Sequence, residues 1–215
     1  MSWSMLIKGL VGLHIIFGGL ALLTGSWVIL SKKGTPQHKR IGKVFYGSML
    51  VAAVLSCGIA VLPAHENIFL FCIGLFTIYL LLAGYRALNF RQKNPNLQKD
   101  KLLALGLGIV GLVLITFPIL LYQQPNIISG VFGVVSVYFG LSDLRLFRKP
   151  PLLQEQWLRI HLSKTVGAYL AAVTAFFVVN NILLVPMWNW FAPGVLGTLY
   201  ILYWTQKIKK KKGVL

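Results

Sequence analysis

Composition, hydropathy and charge together indicate a membrane protein. Of the 215 residues, 57% are hydrophobic and only 12% are charged, and the mean hydropathy is +0.75. A formal charge of +17 would suggest a nucleic-acid partner in a soluble protein. Here the basic residues only separate long apolar stretches, so nucleic acid is not an expected partner. One membrane domain over residues 1–215 is expected, with no room for a separate soluble catalytic domain.

The apolar stretches predict seven transmembrane helices, because a helix needs about 20 mostly apolar residues to cross a bilayer. Leu102 to Ser142 and Thr165 to Gln206 contain no charged residue, and each is long enough for two spans divided by polar residues and proline. The predicted fold is therefore an all-α polytopic bundle. In chain order its spans cover about residues 5–30, 42–63, 67–90, 102–122, 126–147, 154–180 and 184–206.

The distribution of basic residues predicts the orientation of these spans. Lys and Arg cluster in the connections after spans one, three and five and in the tail, whereas residues 63–66, 123–126 and 180–193 contain none. Cytoplasmic loops carry an excess of Lys and Arg. We expect the N-terminus outside and the C-terminus in the cytoplasm. The basic tail Lys207 to Lys212 also predicts binding of anionic lipid headgroups, with a role in orientation alone as the alternative.

Ionisable residues in or near the spans are candidates for a functional site, because a charged group in hydrocarbon is costly and normally has a partner. His14 lies in span one and shares a face with small residues, which indicates that it faces protein. Arg86, Asp143 and His161 lie toward the cytoplasmic ends of their spans, and His38 lies just ahead of span two. These last four residues are expected to converge on one inward-facing polar pocket.

Metal or haem binding is the leading functional hypothesis from these residues. Two histidines and a carboxylate suit zinc or another divalent metal with an open position for water, and the candidate ligands are His38, Asp143 and His161. A b-type haem is commonly held between histidines on facing helices, for which His14 and His161 are the candidates. Either cofactor would support redox or hydrolytic chemistry.

Three alternatives stay open. In the first, the residues are structural: Asp143 pairs with Arg86 or Arg145, His161 hydrogen-bonds a neighbouring helix, and His38 is a solvated loop residue. In the second, the protein is a small solute carrier or a proton-coupled carrier in which Asp143 and His161 exchange protons. In the third, it is a non-catalytic assembly or interaction protein. The sequence does not decide whether the chain is an enzyme.

Two motifs carry a resemblance to a known family. Residues 34–47 read GTPQHKRIGKVFYG and residues 161–176 read HLSKTVGAYLAAVTAF. Both resemble a bacterial family of multi-pass membrane proteins of unknown function, which typically shows a His-Arg-Arg-x-Gly-Arg-x-Tyr element after its first span and a histidine opening a late span. The resemblance implies a protein of the bacterial cytoplasmic membrane and supplies no substrate. Its matching positions are His38, Arg40, Gly42, Tyr46 and His161, and Arg40 and Tyr46 join Arg86 in the predicted polar pocket.

Overall fold

The computed structural model describes residues 3–211, apart from the side chains of Trp3, Ser4 and Lys211. Over this range the chain forms seven α-helices and one short 3-10 helix, which confirms the all-α class. The helices are α1 (Trp3–Leu30), α2 (Pro36–Ile59), α3 (Ile68–Arg86), the 3-10 helix (Ala87–Arg91), α4 (Gln98–Tyr122), α5 (Ile127–Leu146), α6 (Pro150–Asn180) and α7 (Pro186–Lys211).

Helices α1 to α6 are each long and apolar enough to cross a membrane. Six such helices are the architecture of a multi-pass membrane protein. Helix α7 has 26 residues but does not belong to this set, because Asn189, Pro193 and several Trp and Tyr residues lower its hydropathy. Length and composition therefore account for six of the seven predicted spans.

Helix α2 begins at Pro36, where the sequence predicted a span starting near residue 42. Thr35 has an extended backbone, and its side-chain oxygen accepts a hydrogen bond of 3.2 Å from the backbone N–H of His38. Thr at the N-cap followed by Pro in the first turn is a strong helix start. His38 and Arg40 consequently lie on a helix and not in a loop ahead of it.

Helix α3 lies at the centre of the bundle, in contact with α2, α4 and α6. Its buried side chains include Phe76, Tyr79, Leu80 and Leu81. The remaining helices add to this centre in pairs, since α1 packs along α2, α4 along α5, and α7 along α6. Any polar side chain on the inner face of α3 is thus enclosed by protein on several sides.

Helices α4 and α5 approach each other almost backbone to backbone. A Cβ atom added to Gly111 would lie 2.7 Å from the carbonyl oxygen of Gly133, and one added to Gly140 would lie 2.7 Å from that of Ala104. Helices in lipid associate by such close approach, because apolar side chains gain little free energy by exchanging lipid contacts for contacts with another helix. It also fixes α5, and with it Asp143, against the first turns of α4.

Candidate functional site

Three polar side chains from three helices meet inside the bundle: Tyr79 of α3, Asp143 of α5 and Lys164 of α6. Their exposed fractions are 4%, 9% and 6%. The Nζ atom of Lys164 lies 2.7 Å from Oδ2 of Asp143 and donates a hydrogen bond of 3.1 Å to the Tyr79 hydroxyl. That hydroxyl donates to the same Oδ2 atom. These residues form a closed hydrogen-bonded set, which we call the Lys–Asp–Tyr group.

Aromatic rings also surround the Lys164 ammonium. Its Nζ atom lies 4.6 Å from the ring centroid of Phe139 and 4.8 Å from that of Tyr79. Phe139 precedes Asp143 by one helical turn on α5, so the ring and the carboxylate lie on the same face. Ring faces attract cations. Together with the carboxylate, they replace much of the water that the ammonium would otherwise bind.

The group lies in the half of the bundle where α3 and α5 end. At 1.5 Å per residue, Asp143 is about 5 Å from the C-terminal end of α5, and Tyr79 is about 10 Å from that of α3. Both helix ends carry a basic residue in the last turn, Arg86 on α3 and Arg145 on α5. The group is therefore on the side for which the sequence predicts a cytoplasmic location.

A small cavity adjoins the Lys–Asp–Tyr group. Its volume is about 10 Å³, close to the smallest space that holds one water molecule. Tyr79 and Asp143 contribute to its wall, and so does Asp100 from the first turn of α4. The rest of the wall is apolar and consists of Ala83, Phe90, Leu103, Leu146, Phe147 and Ile160.

Asp100 is held in place by Arg86. The Nε atom of Arg86 lies 2.7 Å from Oδ1 of Asp100, and Nη2 lies 2.6 Å from Oδ2. This bidentate geometry is among the stronger charge-assisted arrangements. Nη2 also donates to the carbonyl oxygen of Asn96 at 3.3 Å, which ties the end of α3 to the loop before α4. The cavity is thus bordered by two carboxylates, each with its own cation.

Helical spacing explains why these residues converge. On α3, Tyr79, Ala83 and Arg86 follow one another at intervals of about one turn, and on α6 Ile160 precedes Lys164 by about one turn. Residues spaced in this way share a face. The inner faces of α3 and α6 therefore place these side chains at or beside the cavity.

The histidines are held apart from this cavity by contacts of their own. Nδ1 of His14 lies 2.9 Å from the carbonyl oxygen of Ala52 on α2, and Nδ1 of His161 lies 2.8 Å from that of Gly84 on α3. The expectation that His161 hydrogen-bonds a neighbouring helix is confirmed. His38 is half-buried in the first turn of α2, with Nδ1 3.3 Å from Oγ of Ser31, so the alternative that it is a solvated loop residue is wrong.

The predicted metal ligands are not gathered by the fold. Asp143 was expected to pair with Arg86, with Arg145 or with a metal held by histidines, but its partners are Lys164 and Tyr79. Among the residues described, no three His, Cys, Asp or Glu side chains form a group that could hold a metal ion. The structure therefore does not support a metal site formed by His38, Asp143 and His161.

The predicted haem ligands do not share a pocket with this group either. The Nδ1 contacts leave Nε2 of His14 and His161 to face a ligand, but the rings are fixed against different helices, α2 and α3. Neither histidine lines the cavity beside Tyr79, which is far too small for a porphyrin. The arrangement gives no support to a bis-histidine haem.

The other predicted pocket residues also lie elsewhere. Arg40 is exposed, and the ring of Tyr46 packs against that of Tyr85 with centroids 4.7 Å apart. Counted in register with the family element, it is Phe45 that falls at the tyrosine position, and Phe45 is buried.

Lys33, in the connection before α2, donates to the carbonyl oxygens of Val28 and Ser31 at the end of α1. Burial lowers the pKa of the Lys33 ammonium.

Sequence reasoning missed Lys164, Tyr79 and Asp100. Lys164 stands directly before an uncharged stretch and was treated as its border. It nevertheless follows His161 by three residues and precedes Ala168 by four, so helical spacing places it on the small-residue face of span six. A lysine on such a face is the signal that could have revealed the pair. Tyr79 gave no comparable signal, because tyrosine is common in apolar spans.

Comparisons with known proteins identify no relative of this chain. No protein-family model matches it, and no curated protein or solved structure is significantly similar to it. The resemblance to the bacterial membrane family therefore stays a prediction.

Removing one charge of the buried pair should destabilise the protein more than removing both. Asp143→Ala leaves the Lys164 ammonium without its counter-charge, which costs about 3–5 kcal/mol. Asp143→Asn combined with Lys164→Met leaves no buried charge and should recover most of that loss. The measurement is unfolding of detergent-purified protein, with Glu66→Ala in the exposed connection before α3 as the control. Asp143→Ala as stable as the control would place Asp143 in solvent.

Proposed function

We propose that the chain spans the bacterial cytoplasmic membrane seven times, with its N-terminus outside and its C-terminus in the cytoplasm. Helix α7 is 26 residues long and packs along α6 after a short connection, residues 181–185, which supports a return across the same layer. The alternation of basic and non-basic connections supports the orientation. This layout agrees with membership of the family with the His-Arg-Arg-x-Gly-Arg-x-Tyr element, which we also propose.

We further propose that the protein is a small carrier that moves protons, alone or coupled to a small solute, through the Lys–Asp–Tyr group. The observation that supports this most is the buried pair of Lys164 and Asp143 inside a bundle of apolar helices. Ionisable residues inside a membrane protein are rare because they are costly, and they commonly belong to proton relays and ion pathways.

The physical basis is the balance between two forms of the pair. In a poorly solvated site, the desolvation of an ammonium and a carboxylate can equal or exceed their mutual attraction. The charged pair and the neutral pair, in which the proton has moved from Lys164 to Asp143, therefore differ little in free energy. Tyr79 contacts both partners and accommodates either form, because its hydroxyl both donates and accepts. Small changes in hydration then decide where the proton lies.

A purely stabilising role for the Lys164–Asp143 pair explains fewer features of the site than proton exchange does. Replacing a buried ion pair with apolar residues of similar volume often leaves stability unchanged or raises it. Stability alone therefore gives no reason for three polar residues beside a water-sized cavity with a second carboxylate in its wall. Exchange of protons with water uses every one of these features.

Anionic lipid headgroups are the partner that we propose for the basic end of α7. Lys207 lies over the Trp204 ring, with Nζ 4.9 Å from its centroid, and Trp is typical of the membrane interface. Lys209 and Lys210 follow on the same helix, and each basic residue near an anionic surface contributes about 1 kcal/mol. Residues 212–215 and the side chain of Lys211 lie outside the described part of the tail.

Reporter fusions test the proposed topology. A fusion after Arg91 and one at Leu215 should report a cytoplasmic location, and one within Gln123 to Asn126 should report an external location, because Lys and Arg are retained inside. A Leu215 fusion that reports an external location, with the Arg91 fusion cytoplasmic, would show that α7 does not cross.

Proton flux into liposomes tests the proposed function. Purified protein is reconstituted with an enclosed pH-sensitive dye, and a potassium gradient with valinomycin sets the membrane potential. The wild-type protein should carry protons faster than empty liposomes. The variant with Asp143→Asn and Lys164→Met should reduce the rate to that of empty liposomes, since both partners of the proton-exchanging pair are lost, while the exposed control Arg145→Gln keeps it. Wild-type flux at the empty-liposome rate would contradict the proposal.

A further inference from the structure

The cavity beside Tyr79 connects two buried carboxylates that belong to different ion pairs. Asp143 and Asp100 both contribute to its wall, yet each is bound to a different cation on a different helix. The intervening wall is apolar. A single water molecule in this space has polar partners at Asp143, Tyr79 and Asp100, which is enough to hold it.

Asp100 stands closer to the helix ends than Asp143 does. It lies in the first turn of α4, and its partner Arg86 lies in the last turn of α3. The side chain of Asp100 is 3% exposed, whereas that of Arg86 is 25% exposed. The Arg86 side chain therefore lies between the buried Asp100 carboxylate and the solvent at the predicted cytoplasmic side.

We infer that protons pass between the Lys–Asp–Tyr group and the cytoplasm through this cavity and Asp100, with Arg86 as a positioning residue. The inference rests on the proposed function and names the route by which its site exchanges protons. Arg86 acts through Asp100, since it fixes both oxygens of that carboxylate while leaving lone pairs that a water molecule can use.

The proton balance along this route is simple. The O–H bond of the protonated Asp143 breaks as its proton moves to the cavity water, and the resulting hydronium lies beside the Asp100 carboxylate. Asp100 accepts the proton, the water is restored, and the proton then leaves Asp100 for the cytoplasm. Uptake from the cytoplasm runs in reverse. No electrons move, and no other reactant is required.

The structure favours Asp100 over His161 for this role. His161 precedes Lys164 on α6 and was the proton-exchanging partner expected from the sequence. Its Nδ1 atom is occupied by the carbonyl oxygen of Gly84, and the residue is not part of the cavity wall. Asp100 borders the same space as Asp143, so a water molecule held in this cavity would lie beside both carboxylates.

Chemical rescue distinguishes proton transfer from a structural role. Asp100→Ala should lower proton flux at least tenfold in the liposome assay, and added formate should restore it, because a small weak acid in the vacated space carries the proton. Formic acid also carries protons across membranes by itself. The proton flux of Asp100→Ala in formate is therefore compared with that of Asp143→Asn in formate, which formate should not rescue. Melting temperatures of both variants test whether they are folded, and the variant with Asp100→Asn and Arg86→Gln provides a form with no unpaired charge.

The possible outcomes separate this inference from the proposed function. Rescue of Asp100→Ala beyond the formate effect on Asp143→Asn supports the route. A folded variant with Asp100→Asn and Arg86→Gln that conducts at the wild-type rate overturns it, although loss of flux in Asp143→Asn would still uphold the carrier. Loss of flux in Asp100→Ala without rescue also overturns it and assigns Asp100 a structural role. A wild-type protein without flux contradicts the proposed function itself.

Discussion

The cost of removing charge from water is the constraint on which this structure depends. The helices expose many large apolar side chains, yet the bundle encloses Lys164, Asp143 and Asp100 with exposed fractions of 6%, 9% and 4%. An unpaired charge in such a place costs several kcal/mol. Each carboxylate accordingly has a cation within 2.7 Å. Among the described side chains, no buried polar atom is left without a hydrogen-bond partner.

The packing of the helices serves this pairing. Glycines let α4 and α5 approach closely, which brings Asp100 and Asp143 to the same cavity from neighbouring helices. Helix α3 contributes Tyr79, which donates a hydrogen bond to Asp143, and Arg86, which forms the ion pair with Asp100. Lys164 comes from α6, which packs against α3. The site therefore depends on the tertiary fold, because no two of its charged and hydrogen-bonding residues are neighbours in the chain.

The fold was easier to predict from the sequence than the site. Apolar length gave the helices, since about 20 apolar residues have few stable forms other than a span. Thr35 and Pro36 mark the start of α2 in the sequence, but apolar length alone placed that span from about residue 42. Pairing across the bundle was harder to predict: helical spacing placed Lys164 on a packing face, but choosing it over Arg86 or Arg145 as the partner of Asp143 required knowing how α5 and α6 are rotated. Histidines were chosen as ionisable residues in or near the spans, although His14 and His161 contact backbone carbonyl oxygens.

Infrared spectroscopy of the protein in lipid membranes tests the central claim most directly. Asp100 and Asp143 are the two aspartates of the chain, so carbon-13 labelling of aspartate isolates their carboxyl bands from those of Glu66 and Glu155. The account predicts a carboxylic acid band that grows as the pH falls, shifts with the label and disappears in Asp143→Asn. Identical pH-difference spectra for the wild type and Asp143→Asn would show that Asp143 keeps one protonation state, and would contradict a proton-exchanging Lys–Asp–Tyr group.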